Sequence, residues 1–261
     1  MTRLRWKVGL AGIELALVLG VAPGARADEG AEKMAAVQQK AQAVQSYRAE
    51  FALTVIEEGK PTTLTGTILY QRPDKRRIDF STAQATDEVA QLVVSDGTVE
   101  WQSFPAKKVV YKTDWAKAKA AGASTDALEL RGLHQPFIDV KPGSVRFVEA
   151  KTDSDQHLYV FEAAPADTLV ADAPFTPGTL RVTVSSDDGL TRHLTMTDAQ
   201  GKEVLNQQYT KVQVGVPVPA DQFTFTPPPG AQVIDISEER AGKRPAAPAE
   251  PAVPEVPGAK P

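Results

Sequence analysis

The sequence predicts an α+β domain built on one large, curled antiparallel sheet, with helices available to cover its concave face. Short segments with apolar residues at every second position follow one another along the chain, which is typical of antiparallel β proteins. Turn sequences such as Asp96-Gly97 and Asp188-Gly189 separate these segments. Helical periodicity is confined to two regions. A sheet with this many strands twists and curls rather than staying flat.

Composition excludes several functional classes. The 261 residues include no cysteine and only three histidines, which removes disulfides, thiolate catalysis, Cys-ligated zinc and iron–sulfur clusters. The formal net charge of -4 argues against nucleic-acid binding. No apolar run reaches the roughly 18–20 residues that a spanning helix needs, so stable membrane insertion is not expected.

The N-terminus resembles an export signal. Arg3, Arg5 and Lys7 precede an apolar stretch, Val8 to Val21, and Ala25-Arg26-Ala27 has the small-x-small form of a cleavage site. We therefore expect residues 1–27 to be a signal peptide cleaved after Ala27, and the mature protein to be periplasmic. The alternative is an uncleaved N-terminal anchor.

The C-terminus is a Pro/Ala-rich tail. Proline recurs about every three residues in residues 241–261, which prevents both helix and strand formation. We expect a disordered segment, either a passive tail or a tether to a partner or the cell wall. Residues 28–240 are then one domain, a length that a single domain can hold.

The first half of this domain reads as a helix followed by strands. Met34, Val37, Ala41 and Val44 recur at three- and four-residue steps, which predicts a helix at residues 29–46. After Ser46 the apolar period changes to two. The expected strands are residues 47–56, 63–72, 75–81, 88–95, 98–103 and 107–112.

The pattern then breaks before the strands resume. An Ala/Lys-rich stretch predicts a short helix at residues 114–121, and Asp126 can cap a second one that reaches Leu133. The remaining expected strands are residues 145–151, 156–163, 179–185, 191–197 and 203–214.

Catalytic and metal-binding motifs are absent from the sequence. There is no G-x-S-x-G, P-loop, G-x-G-x-x-G or H-E-x-x-H pattern. Asp153, Asp155 and His157 are interpreted as a polar hairpin turn rather than a metal cluster. We expect no enzymatic activity, no metal and no cofactor.

Two features leave alternatives open. A basic cluster, formed by Arg72, Lys75, Arg76 and Arg77, is either a solvated hairpin or a contact for an anionic headgroup or acidic partner. Segments such as Gln91–Val94 are apolar on both faces, so the sheet is either covered twice or encloses something apolar.

Four segments, in order, resemble the LolA-like family of periplasmic lipoprotein carriers, a superfamily that includes LolB and the RseB-type sensors. They are Ser46–Phe51 (Ser-Phe-x-Ala-x-Phe in the family), Gly66–Asp74 (Gly-x-Leu-x-x-x-Arg-Pro-Asn), Leu92–Gly97 with Trp101 and Pro105 (Leu-Val-Ser-Asp-Gly-x-x-x-Trp-x-x-x-Pro), and Phe223–Gly230 (Phe-x-Phe-x-Pro-Pro-x-Gly). Together they frame residues 34–236.

The resemblance implies a single curved antiparallel sheet that does not close into a barrel and whose concave, apolar face is covered by helices. It also implies that acyl chains bind between the sheet and these helices. The groove residues expected on this basis are Phe51, Leu53, Val55, Ile68, Tyr70, Ile78, Phe80, Leu92, Val94 and Trp101. Arg72 matches the family arginine that holds the lid shut, with partners expected in the 114–133 helices. The expected lid residues are Trp115, Leu128, Leu130 and Leu133.

The implied function is that of a monomeric carrier. Its cargo would be a lipoprotein or another lipid, moved from an inner-membrane release transporter to an outer-membrane acceptor. Arg76 and Arg77 stand where the family usually has an apolar residue, which bears on docking to that transporter. The alternative is a regulatory module like the RseB-type sensors, which binds lipid or protein in the envelope.

Overall fold

The computed structural model describes residues 23–57, 59–82, 89–121, 133–138, 140–167 and 175–239. Residues 1–22 of the expected signal peptide lie outside this part of the chain, as does the whole expected tail at 241–261. The expected helix from Asp126 to Leu133 also lies outside it, apart from Leu133.

Within these ranges the chain forms two α-helices and twelve strands. They are α1 (Pro23–Ala43), β1 (Ser46–Glu57), β2 (Lys60–Gln71), β3 (Lys75–Thr82), β4 (Gln91–Asp96), β5 (Val99–Phe104), β6 (Val109–Asp114), α2 (Trp115–Ala120), β7 (Arg146–Asp153), β8 (Gln156–Ala163), β9 (Pro177–Ser185), β10 (Thr191–Asp198), β11 (Glu203–Val214) and β12 (Gln232–Asp235).

All twelve strands belong to one sheet that does not close. Its order is β12-β6-β5-β4-β3-β2-β1-β11-β10-β9-β8-β7, so β12 and β7 are its edges. The predicted fold class, a large unclosed sheet with helices, is confirmed. The expectation of a purely antiparallel sheet is wrong at one edge, because β12 runs parallel to β6. This strand was missed because only four residues, Gln232–Asp235, follow a proline-rich segment.

Helix α1 covers part of the sheet with its apolar side. Val37 and Ala41 are buried, and Val37 joins a core cluster that includes Phe161 and Val182. The helix ends at Ala43 rather than at residue 46, because Ser46 already pairs with Gln71 in the β1–β2 ladder. Among the helices of the described residues, none is long and apolar enough to cross a bilayer.

The strand register defines an inner face, which contains the core. Across neighbouring strands Ala49 lies opposite Ile68, Ile68 opposite Ile78, and Ile78 opposite Val93. Directly paired residues point to the same face of a sheet. These four side chains therefore share the face that also carries Tyr47 and Tyr70, and all six belong to one buried cluster.

The opposite, outer face of β3–β5 is covered by the C-terminal segment of the chain. A 3₁₀ turn at Ala220–Phe223 contacts β3 and β4, and Phe223 is buried. The ring of Phe225 lies 5.8 Å from that of Trp101. The apolar character of both faces, noted in the sequence, thus reflects a sheet that is covered twice in this region.

Candidate functional site

One end of the inner face is filled by the protein's own side chains. We call it the closed end, and it consists of Tyr47, Ala49, Ile68 and Tyr70, all buried. Leu133 is also buried here, and its backbone N–H donates to the hydroxyl of Tyr47 over 3.1 Å. Interiors packed in this way leave no room for a further chain.

Three rings stack at this closed end. The rings of Tyr47 and Tyr70 are 5.0 Å apart, and the imidazole of His134 lies 4.1 Å from Tyr70 at an interplanar angle of 25°. The Nδ1 atom of His134 is 3.3 Å from the Tyr47 hydroxyl. We refer to Tyr47, Tyr70 and His134 as the aromatic clasp. It fixes the start of segment 133–138 to strands β1 and β2.

The clasp is electrostatically unusual. Burial, with the nearby charges of Arg72 and Arg76, lowers the pKa of His134 to about 4, so the imidazole is neutral at pH 7. Burial, followed by the neighbouring Tyr209 and Tyr70, raises the pKa of Tyr47 well above its ordinary value. Both groups are therefore held uncharged.

Arg72 ties β2 to the end of α1. Its Nε donates to the carbonyl of Val44 over 2.8 Å, and its backbone N–H donates to the carbonyl of Gln45 over 2.8 Å. These two bonds join Arg72 to the segment just after α1. Carbonyls at a helix C-terminus lack partners within the helix and attract cations, which explains why Arg72 bonds at this position. Its expected contact with the 114–133 region stays a prediction, since residues 122–132 lie outside the described residues.

The other end of the inner face is less covered. It is built by apolar side chains that are half-buried and that come from five neighbouring strands; we call them the open-end row. Its members are Phe80, Leu64, Leu53, Val55, Leu205 and Leu194. The register sets Leu53 opposite Leu64 and Val55 opposite Leu205. The polar side chain of Gln207 on β11 lies between Leu53 and Leu194 and interrupts the row.

The open-end row joins the closed end through Phe51. This buried ring lies 5.4 Å from that of Phe80, edge to face. Its strand partner is Gly66, where an added Cβ would approach the Phe51 ring to 2.8 Å. Glycine at this position lets the aromatic side chain lie flat on β2.

A buried ion pair interrupts the apolar inner face near the closed end. The guanidinium of Arg76 pairs with the carboxylate of Glu100, whose side chain is 0% exposed, and Gln102 Nε2 also donates to that carboxylate over 3.3 Å. Half-buried Phe104 and Tyr111 lie on the same face of β5 and β6, since Gln102 pairs with Tyr111 in the register. Their rings are 5.8 Å apart. The inner face therefore carries apolar side chains on both sides of β1 and β2.

No family model matches the sequence. A curated outer-membrane lipoprotein carrier protein from Dechloromonas aromatica (strain RCB) is 27% identical over 197 residues, which cover 72% of this chain and 81% of that protein. The resemblance to the LolA-like carriers is confirmed.

The fold is shared with a solved structure. An uncharacterized conserved protein from Thermus thermophilus superposes with a TM-score of 0.52 at 10% identity, covering 79% of this chain and 99% of its own. MucB superposes with a TM-score of 0.46 at 14% identity, covering 76% of this chain and 63% of its own.

The structure divides the residues that were expected to line a groove into three sets. Leu53, Val55 and Phe80 lie in the open-end row. Phe51, Ile68, Tyr70 and Ile78 share the inner face but are buried in the core.

The third set does not lie on the same face of the sheet as the other expected groove residues. Val94 lies opposite Arg77 and Trp101 in the register, and Leu92 lies opposite Ser103. This places Leu92, Val94 and Trp101 on the outer face, where Phe225 contacts Trp101. They do not line the same surface as the other seven residues.

The expected LolA-like lid is only partly described. Leu133 packs on the closed end, and Trp115 is the half-buried first residue of α2, whose N-terminus is capped by the Asp114 side chain. Leu128 and Leu130 lie outside the described residues. Their role in a lid stays a prediction.

Sequence reasoning missed part of the site. Leu64, Leu194 and Leu205 were not assigned to the groove, although the alternation in their strands puts them on the inner face. Tyr47 and His134 were not assigned either. Nothing local marks His134, because its neighbours Tyr47 and Tyr70 are more than sixty residues away in sequence.

Other polar features proved structural. Arg76 and Arg77 of the basic cluster pair with Glu100 and Asp79. The predicted hairpin turn near Asp155 is confirmed, since β7 ends at Asp153 and β8 begins at Gln156. Within the described ranges, no group of three His, Asp or Glu residues is placed to hold a metal.

Proposed function

We propose that this chain is a periplasmic carrier that binds acyl chains of a lipoprotein, or of another lipid, against the open-end row. The observation that carries the proposal is the band of half-buried apolar side chains across β3, β2, β1, β11 and β10 in an unclosed sheet, interrupted by Gln207 on β11. The carrier name of the Dechloromonas aromatica relative supports lipoprotein as cargo.

Burial of hydrocarbon is enough to drive the binding step. Each CH₂ removed from water contributes about 0.8 kcal/mol, so an acyl chain stabilises the complex without a chemical step. The aliphatic members, Leu53, Leu64 and Leu205 among them, present hydrocarbon with no polar atom that would need a partner. No bond is made or broken in this mechanism.

The closed end gives the site a fixed wall. Its rings and Leu133 are packed tightly, and Arg72 ties β2 to the end of α1. Cargo chains therefore enter from the Leu53 side and stop near Phe51. Loading from an inner-membrane transporter and delivery to an outer-membrane acceptor are part of the same proposal, as is a monomeric carrier.

The test is native mass spectrometry of the full chain, purified without detergent and titrated with a triacylated lipopeptide. We expect a bound species at micromolar lipopeptide. Leu53→Asp should abolish it, because a carboxylate in the groove must be desolvated. Thr54→Asp is the matched control: it adds the same charge one residue away on the outer face, and it should bind as the unaltered chain does.

Several results would contradict the proposal. An unaltered chain that never shifts in mass would remove lipid binding altogether. Equal binding by Leu53→Asp and Thr54→Asp would place the lipid elsewhere. Binding without transfer to outer-membrane vesicles would favour the sensor alternative.

A further inference from the structure

We propose that the aromatic clasp is acid-sensitive: it holds segment 133–138 on the sheet while His134 is neutral and releases the start of that segment when His134 is protonated. The clasp itself is inferred from contacts within this chain. Only its consequence for cargo rests on the proposed function.

The clasp holds His134 where an added charge is costly. The Tyr47 hydroxyl accepts from the Leu133 N–H at 3.1 Å and lies 3.3 Å from His134 Nδ1. The imidazole tautomer decides which of these two atoms, the hydroxyl oxygen or Nδ1, donates to the other. A protonated imidazole would be a buried cation stacked on Tyr70, 4.1 Å away, beside two guanidinium groups, and burying a charge without a partner is costly.

Two positive charges near the clasp oppose protonation of His134. Arg72 follows β2 and Arg76 lies on β3, and both guanidinium charges disfavour a cationic imidazole. Tyr47 on β1 and Tyr70 on β2 are uncharged, as are the Gln38 and Gln42 amides that α1 contributes to the neighbouring pocket.

Two contacts favour protonation of His134. The Asp74 carboxylate lines the same pocket but is exposed, so water screens its attraction to a cationic imidazole. The face of Tyr70 attracts a cation, which returns part of the cost. Burial and two guanidinium groups outweigh both.

The segment held by the clasp lies across both halves of the sheet. The Thr191 N–H donates to the Leu133 carbonyl over 2.9 Å, and the Phe137 ring lies 5.0 Å from Phe161 on β8. Release at His134 thus frees the segment from β1 and β2, while Thr191 and Phe137 still hold it on the other half of the sheet. A segment hinged in this way opens the closed end without unfolding the sheet.

The sign of the pH effect follows from the lowered pKa of His134, about 4 in the closed form, against about 6.5 for an exposed histidine. The open form binds more protons between these values, so acid favours opening. The equilibrium between open and closed segment should shift toward open by about 100-fold from pH 7 to pH 4.

The experiment is an NMR titration of the full chain from pH 7.5 to 4, following the His134 imidazole and the solvent protection of the Leu133 amide. We expect the Leu133 amide to lose protection as His134 titrates, well below the ordinary histidine range. His134→Phe keeps a stacking ring but cannot be protonated, so it should retain protection across this range. His134→Gln, which also cannot gain a charge, guards against a poorly folded phenylalanine variant.

His157→Gln is the matched control, because that imidazole is exposed beside Asp187; it should behave as the unaltered chain does. Loss of Leu133 protection at the same pH in the unaltered chain and in both His134 variants would overturn the clasp. So would a His134 titration near 6.5 that leaves Leu133 unchanged. Binding of a triacylated lipopeptide is measured separately, so a chain that opens in acid yet never binds lipid would contradict only the proposed carrier function.

Discussion

The closed end and the open end of the inner face are built by the same two strands, yet they differ in what covers them. At one end of β1 and β2, Tyr47 and Tyr70 are sealed by Leu133 and His134. At the other end, Leu53 and Leu64 are only half-buried. An apolar strand residue therefore does not by itself mark a binding surface; the difference lies in which distant segment packs on it.

The largest expected effect is on the free energy of unfolding, when an aspartate is introduced at each end of the inner face in turn. Ile68→Asp buries a carboxylate in the core cluster, so we expect a loss of more than about 4 kcal/mol in unfolding free energy. Leu53→Asp lies in the open-end row and should cost about 1 kcal/mol, because its side chain already meets water. Urea unfolding followed by circular dichroism measures both. Equal losses would mean that the two ends do not differ in packing.

The sequence alone predicts which side chains share a face in strands where apolar and polar residues alternate strictly. In β1 the period-two pattern from Tyr47 to Val55 correctly gave the inner face. In β4 it failed, because Leu92, Val93 and Val94 are consecutive apolar residues and either parity fits. The structure puts Val93 inside and Val94 outside, since the outer face is covered by the C-terminal segment.

The remaining features depend on contacts between distant segments. The covering of β3–β5 by Phe223 and Phe225, and the edge strand β12, arise from residues more than a hundred positions further along the chain. The pairing of Arg76 with Glu100 is equally invisible in sequence, where Arg76 reads as one of several surface bases. Local sequence patterns predict the strands and the two faces of the sheet. Which distant segment packs on each face can only be read from the three-dimensional structure.

A second test compares two adjacent arginines. Arg76 lies opposite Tyr70, at the closed end, and pairs with Glu100, whose side chain is 0% exposed. Arg77 pairs with Asp79 on the outer face, where the two side chains are 30% and 28% exposed. Arg76→Ala removes the guanidinium partner of a buried carboxylate and should cost about 3 kcal/mol. Arg77→Ala should cost less than about 1 kcal/mol.

Thermal unfolding of both variants at pH 7 separates these outcomes. A small loss in Arg76→Ala would show that Glu100 is protonated or hydrated once its partner is gone. In that case the polar part of the inner face would admit water or a proton more readily than its burial indicates.

The smallest expected effect concerns the tie between β2 and α1. Arg72→Leu removes the bond from Nε to the Val44 carbonyl, which is worth about 1 kcal/mol for a half-buried pair. If this bond holds the end of α1 against the sheet, its loss should speed lipopeptide dissociation by about 5-fold, measured by stopped-flow displacement with a fluorescent analogue. Lys75→Leu removes a neighbouring positive charge at the start of β3 and serves as the control. The same increase in both variants would assign the effect to charge, whereas an increase confined to Arg72→Leu would assign it to the tie and link the closed end to cargo release.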